Sequence, residues 1–244
     1  MVYPIKIILS SIYYASFNVL LVLFHPFQVI AHKIWGYKGQ QGVVNTLNYL
    51  LIKCFVFLGA KVKFEGFESL PHNRPIILIS NHQSTLDIPA IVVGFRKHNM
   101  KFISKVELAK GLPSISYNLR HGGSALIDRS KGASSIKEIH KLGERMEKNC
   151  WSACIFPEGT RSRDGKLKEF QVGGIKTLLR AAPSAIVIPF CIDGHGNLQS
   201  EGYFPLKHGC KLTYSVLEAI EPANLTAEEI TAIAHERIKT KLNY

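Results

Sequence analysis

The sequence predicts an α/β fold, a mixed and largely parallel sheet flanked by helices, behind an apolar N-terminal segment. Three observations lead there. Beyond Ala60, apolar runs of strand length alternate with longer stretches of helical period. No internal repeat or low-complexity linker interrupts that alternation. At 244 residues the chain has room for one sizeable α/β domain plus an appendage. We therefore divide it at residue 60, with 1–60 as membrane-associated helices and 61–244 as the α/β domain.

Taken in order, the first element is the uncharged run from Ile7 to Phe24, 18 residues rich in Ile, Leu, Val, Phe and Tyr. As a helix it would be about 27 Å long, close to the thickness of a hydrocarbon core. No small-x-small site follows it, which disfavours a cleaved signal peptide. A second apolar stretch, Val43 to Ala60, contains Asn45, Asn48 and Lys53 and is too polar to span; Pro26 marks a bend between the two. A pair of buried core helices is the competing reading. Lys33, Lys38 and Lys53 after the first stretch, against Lys6 before it, favour a membrane location with the α/β domain on the cytoplasmic side.

Strands are expected at Lys61–Phe64, Ile76–Ser80, Lys101–Ile103, Ala125–Asp128, Ala153–Phe156, Ala185–Phe190 and Lys211–Leu217. Helices are expected at Leu86–Phe95, Ser134–Lys148, Phe170–Ala182 and Ala227–Leu242, the last capped by Thr226. Pro71–Pro75 and His121–Gly123 read as loops.

Two strand-to-helix turns carry the chemistry. The first is NHQSTLD, Asn81 to Asp87, behind the run Ile76–Ser80. Residues five apart on a continuous helix face apart, so His82 and Asp87 can meet only if the chain turns between them. If they meet, Asp87 accepts a hydrogen bond from one ring nitrogen and leaves the other to take a proton from a substrate hydroxyl. The competing reading is a capping box in which Ser84 caps and Asp87 replaces the usual glutamate.

The second turn is FPEGTRS, Phe156 to Ser162, behind Ala153–Phe156. It has the makings of an anion site. Gly159 lets backbone N–H groups approach a ligand, Thr160 adds a hydroxyl, and Arg161 offers a planar fork, with Glu158 expected to hold that arginine. A plain Pro-Glu-Gly turn followed by a solvated charge run is the alternative. In open α/β sheets ligands bind outside the strand ends, so the two turns could face one crevice.

With these residues in view the chain resembles the HxxxxD glycerolipid acyltransferases, most closely the 1-acylglycerol-3-phosphate (lysophosphatidic acid) acyltransferases. His82 to Asp87 and Phe156 to Ser162 match two blocks of that family. Lys105–Leu108 with Gly123–Arg129, and Val187–Phe190, supply two more in family order, and the likeness covers roughly residues 62–220. The resemblance implies that His82 deprotonates the acceptor hydroxyl of a lysophosphatidate, with Asp87 orienting the imidazole. The alkoxide then attacks an acyl thioester, acyl-CoA or acyl carrier protein. It implies Glu158, Gly159, Thr160 and Arg161 as phosphate-binding residues, Lys105 and Arg129 as further cationic contacts, and Pro189 on the acyl-donor side. It implies no cofactor and no metal. Some relatives embed two N-terminal helices in one leaflet, which the Pro26 bend would permit. The same base would also serve acylation of glycerol phosphate or another lysolipid, and a non-catalytic protein binding anionic membranes is the alternative of a different class.

Other classes are disfavoured. Gly122 and Ser124 begin a nucleophile elbow, but Leu126 stands where its second glycine belongs. Gly159, Gly165 and Lys166 miss the spacing of a phosphate-binding loop, and Leu167 follows in place of Ser or Thr. Five cysteines, an odd number, argue for a reducing compartment. Cys150 and Cys154 lack a partner pair at zinc spacing and read as buried free thiols. A net charge of +12 suits an anionic partner. An anionic bilayer fits it and nucleic acid does not, since no nucleic-acid motif or aromatic platform accompanies the basic residues.

Overall fold

The structure, a computed structural model, describes residues 2–162 and 166–243; Gly165 lies outside them. One seven-stranded sheet organises the chain: β1 Lys61–Glu65, β2 Ile76–Ser80, β3 Met100–Lys105, β4 Ala125–Ile127, β5 Ser152–Ile155, β6 Ile186–Asp193 and β7 Lys211–Val216. Their spatial order is β1-β7-β6-β2-β5-β3-β4. The strands β2 to β6 run parallel, while β7 is antiparallel to β6 and parallel to β1. All five parallel strands therefore end at one edge, and the loops leaving that edge carry both turns.

Helices cover both faces, which is why β2 is buried at every residue instead of alternating. On one face Ile77, Ile79 and Ala153 pack with α4 Gly132–Asn149, α5 Val172–Ala181 and α7 Ala227–Lys241. Thr226 and Glu229 form the capping box that starts α7. The other face, with Leu78, Ile188, Phe190 and Tyr214, packs against α2 Asp87–Gly94 and against Tyr13, Val44 and Phe55 from the N-terminal segment. The N-terminal segment, through Tyr13, Val44 and Phe55, thus shares a core with the sheet.

The N-terminal helix α1 runs from Val2 to Lys53 with one departure from helical geometry, at Gly36 (φ 62°, ψ −151°). The bend expected at Pro26 is corrected: Pro26 sits inside the helix and the break falls ten residues later. Positive φ is open to glycine without a Cβ penalty, and nothing lies within 4 Å of the Gly36 Cβ direction. Along its length α1 is bonded to the rest of the chain. Lys6 pairs with Glu201 at 2.5 Å, the Tyr14 hydroxyl donates to the Tyr203 carbonyl at 2.6 Å, and the Ser114 hydroxyl donates to the Leu21 carbonyl at 2.7 Å. Beyond Gly36, Tyr37 and Trp151 enclose the buried Lys101 amine, 4.4 and 4.7 Å from their ring centres.

Three other expectations need correction. His121 ends a helix, α3 Ile115–His121, instead of lying in a loop; Gly123 (φ 84°) makes the turn into β4. Strand β6 continues three residues past Phe190 to Asp193, followed by the single-turn helix α6 His195–Leu198. Cys150 is exposed, because it occupies the left-handed C-cap of α4 (φ 52°), whereas Cys154 is buried inside β5. All five cysteines are unpaired.

Candidate active site

The first turn is fastened to the neighbouring strand before its histidine is considered. The Asn81 amide donates to the Ile192 carbonyl and accepts from the Ile192 N–H, both at 2.8 Å. The Gln83 side-chain oxygen accepts from the N–H groups of His195 and Gly196 at 3.0 and 3.2 Å. These bonds hold the turn to the end of β6, so the loop leaving β2 has one shape.

Inside it, His82 Nδ1 lies 2.9 Å from Asp87 Oδ2. The same oxygen accepts the N–H groups of Gln83 and Ser84, each at 2.9 Å, and Ser84 Oγ accepts the Leu86 N–H at 3.1 Å. The capping box forms only in part: Asp87 reaches back to the Ser84 N–H as its acid would, but the Ser84 hydroxyl bonds Leu86 and α2 starts without a side-chain cap, and the same Asp87 oxygen holds the histidine. Asp87 is fully buried and the His82 ring is 17% exposed. With Nδ1–H given to Asp87, Nε2 carries the lone pair, and no described residue bonds it.

The second turn grips the same histidine. Gly159, at φ 72°, closes it with an N–H to the Phe156 carbonyl at 3.1 Å. The Phe156 ring stacks on His82, centroids 4.0 Å apart. Glu158 Oε1 accepts the His82 N–H at 2.7 Å, and the Ser162 N–H donates to the His82 carbonyl at 2.8 Å. Glu158 was expected to hold Arg161; instead it is buried and turned back onto His82, because the left-handed Gly159 reverses the chain between them. Burial pushes the Glu158 carboxyl up to about 7, against the bonds it receives from the His82 and Lys168 N–H groups.

Cations gather at the same sheet edge. The Arg129 guanidinium, just past β4, donates to the Gly159 carbonyl. Lys105 is the exposed last residue of β3, in register with Ile127. Arg161 is half-buried and Thr160 exposed. Lys168 joins them, donating to the Arg161 carbonyl at 2.9 Å and the Thr160 hydroxyl at 3.1 Å. Pro189 lies elsewhere, buried within β6 alongside Ile79 and not at a strand end.

Phe156, Lys168, Asn81, Gln83 and His195 were not singled out from sequence. A histidine between two glycines just after a strand, Gly194-His195-Gly196, was the available signal for the last. Among the described residues no group of three or more His, Cys, Asp or Glu side chains could hold a metal ion. A concavity of about 470 Å³, lined by Arg74, Arg180 and Glu221, opens at the other edge of the sheet, where β2 and β6 begin.

A family model described as acyltransferase matches residues 61–193. The chain is 28% identical over 229 residues to the 1-acyl-sn-glycerol-3-phosphate acyltransferase of Saccharomyces cerevisiae, covering 88% of this chain and 70% of that protein. It is 31% identical over 195 residues to a chloroplastic 1-acyl-sn-glycerol-3-phosphate acyltransferase of Arabidopsis thaliana; the match covers 78% of this chain and about half, 51%, of that relative. The crystal structure of the 1-acyl-sn-glycerophosphate acyltransferase from Thermotoga maritima superposes with a TM-score of 0.77 over 98% of this chain and 95% of that one, at 23% identity. That likeness establishes a shared fold.

Proposed function

The chain belongs to the acyltransferase family, and on that premise we propose that it moves a fatty acyl group from an acyl thioester to the sn-2 hydroxyl of 1-acylglycerol-3-phosphate, giving phosphatidate for phospholipid synthesis. The observation that carries this reading is the His82–Asp87 pair with Nε2 unoccupied, gripped by a turn whose cations suit a phosphate. Relatives named for that acceptor support it.

In this mechanism Nε2 of His82 takes the hydroxyl proton as the alcohol oxygen attacks the thioester carbonyl, and Asp87 stabilises the imidazolium that forms. Collapse of the tetrahedral intermediate expels the thiolate, which recovers the proton from His82. No acyl-enzyme is needed. A positioned base contributes roughly 10² to 10⁴ in rate. Arg161, Arg129, Lys105 and the N–H and hydroxyl groups of Thr160, presented by the Gly159 turn, bind the acceptor phosphate, which brings its hydroxyl to Nε2. Glu158 contributes by fixing the His82 backbone. The donor is acyl-CoA or acyl carrier protein.

The site works at a membrane surface. Helix α1 is long and apolar enough to cross a bilayer by length and composition. Yet it is bonded to the rest of the chain from Lys6 to Gln41, and a spanning helix would carry those polar contacts into hydrocarbon. We infer that it lies along one leaflet with its outer face in lipid, as one unit with residues 61–244. Lys6, Lys33, Lys38 and Lys53 then all lie at one surface, and their charge supports the anionic cytoplasmic leaflet.

The test is phosphatidate formation by detergent-solubilised protein given labelled acyl-CoA or acyl carrier protein and lysophosphatidate. His82→Ala is expected to lose at least a hundredfold in kcat while keeping the wild-type melting profile. Undiminished turnover in that variant would remove the mechanism.

A further inference from the structure

The dyad has a third member on its buried side. Asp87 uses only Oδ2 for His82 and the two turn N–H groups; Oδ1 is buried and has no hydrogen-bond partner. Facing it at 3.7 Å is Nδ1 of His195, also fully buried and also without a partner. The far nitrogen of that ring, Nε2, lies 2.6 Å from the hydroxyl of Tyr214, in β7. The ring cannot drift, since the His195 N–H is held by Gln83 and the edge of Phe55 packs against its face at 5.8 Å.

Both ends of the ring bear on the tautomer, since a proton on Nε2 would turn the Nδ1 lone pair toward the lone pairs of Asp87 Oδ1. Burial pushes the Tyr214 hydroxyl well above the usual tyrosine range, so it keeps its proton and can donate it to Nε2. The proton of a neutral imidazole then sits on Nδ1 and points at Asp87 Oδ1. Burial also pushes the His195 pKa down, overriding the attraction of Asp87 and Asp193 and acting together with His82 against a charged ring. Tyr13, from α1, and Cys154, from β5, are further titratable groups on this side; neither adds charge, because burial keeps both protonated. A buried acceptor and a buried donor, each otherwise unpaired and aimed at one another, make a contact that tightens when charge develops.

We propose that His195 is a positioning residue for the acyl transfer: as a neutral Nδ1–H donor held by Tyr214, it secures the second oxygen of Asp87 and so sets how strongly Asp87 draws on His82. The series runs Tyr214–His195–Asp87–His82, and no proton leaves His195. As this contact closes from 3.7 Å to hydrogen-bond distance, Asp87 is held at both oxygens against rotation away from Nδ1 of His82, and part of its charge is dispersed onto His195. Loss of that donor leaves Asp87 a stronger acceptor, which holds a proton on His82 to higher pH. The acid limb of kcat/KM should therefore move upward. This inference rests on the base role of His82.

Three variants separate the possibilities. Asparagine places an N–H donor where Nδ1 stands, leucine fills the space without one, and Tyr214→Phe removes one of the two groups that fix the tautomer. His195→Leu is expected to lose about tenfold or more in kcat with acceptor KM within twofold, and to shift the acid limb up by about half a pH unit or more. His195→Asn is expected to restore most of both. If His195→Leu fails to fold, Tyr214→Phe carries the same test and should move the limb in the same direction. An unmoved limb in the soluble variant, or asparagine no better than leucine, overturns the proposal.

A second readout is independent of turnover. In ¹⁵N-histidine-labelled wild type, the resonance missing from His195→Asn should report a neutral Nδ1–H ring from pH 5 to 9. An Nε2–H or charged ring would overturn the proposal even if the chain transferred no acyl group, an outcome that would count instead against the functional reading.

Discussion

The ring of Phe156 lies on the ring of His82, with centroids 4.0 Å apart and planes 19° apart. The contact joins the two turns through the group that is to take the proton. Asp87 fixes one edge of the imidazole and Phe156 fixes its face, so the direction of Nε2 is determined. A flat aromatic also favours the cation that forms in the reaction. Phe156→Ala is expected to lower kcat by about tenfold with acceptor KM within twofold, because a misaimed base costs rate more than binding. Steady-state kinetics beside Phe156→Leu checks this; equal rates for all three proteins would remove the role of the stack.

Glu158 supplies a pH dependence of stability. Its carboxyl sits at about 7 in the folded chain, above the ordinary value of 4.5. Between those values the folded state holds a proton that the unfolded state has released. Stability therefore falls as pH rises from about 4.5 to 7 and the contribution levels off above that. Glu158→Gln lacks the titration but keeps an oxygen for the His82 N–H. Its melting temperature should gain on wild type as pH rises from 5 to 8, by the equivalent of roughly 1 to 3 kcal/mol. Parallel melting curves across that range would place the carboxyl at its ordinary value.

Arg161 and Arg129 should act on the acceptor and not on the donor. A charge-assisted hydrogen bond to phosphate contributes about 1.5 to 3 kcal/mol, so Arg161→Ala should raise the acceptor KM by about tenfold or more. Arg161→Lys should recover only part of this, since an ammonium lacks the bidentate fork. Arg129→Ala should have a smaller effect of the same kind, because its guanidinium also holds the Gly159 carbonyl. Acceptor and donor titrations on one preparation decide it; a rise in donor KM alone would reassign both residues.

The sheet was legible because its strands are apolar blocks between polar turns, and Ile76–Ser80 carries that signal through its whole length. The His82–Asp87 contact was expected from the family resemblance; spacing alone showed only that the two could meet if the chain turned there, and left a capping box open. What escaped were partners chosen by tertiary neighbours. Nothing in Glu158-Gly159-Thr160-Arg161 says that the glutamate looks backward to His82, since that depends on β5 lying beside β2. His195 escaped for the same reason, as β6 is the other neighbour of β2. The break at Gly36 was masked by Pro26, a stronger punctuator in sequence that a long helix nonetheless absorbs.

The outer face of α1 yields the remaining prediction. Ile5, Ile8, Ile12, Val19, Val22, Ile30 and Ile34 are exposed at steps of three, four, seven or eight, whereas Ser10, Tyr13, Leu21, Gln28 and Ala31 are buried on the opposite side of the helix. Such spacing forms one continuous apolar stripe. Val19 and Ile34, 61% and 62% exposed, pack little against the chain, so changing them should leave the fold intact. Each apolar side chain moved from water into lipid contributes about 1.5 to 3 kcal/mol. A Val19→Asp, Ile34→Asp double variant should therefore bind vesicles at least tenfold more weakly, with an unchanged melting temperature. The net charge of +12 adds attraction for anionic lipid, so wild-type binding should also weaken with salt and with neutral vesicles. Turnover of a short-chain, water-soluble acceptor should be the same in both proteins while turnover of vesicle-borne lysophosphatidate falls in the variant. Equal vesicle binding by the two would mean that the stripe faces something other than a membrane.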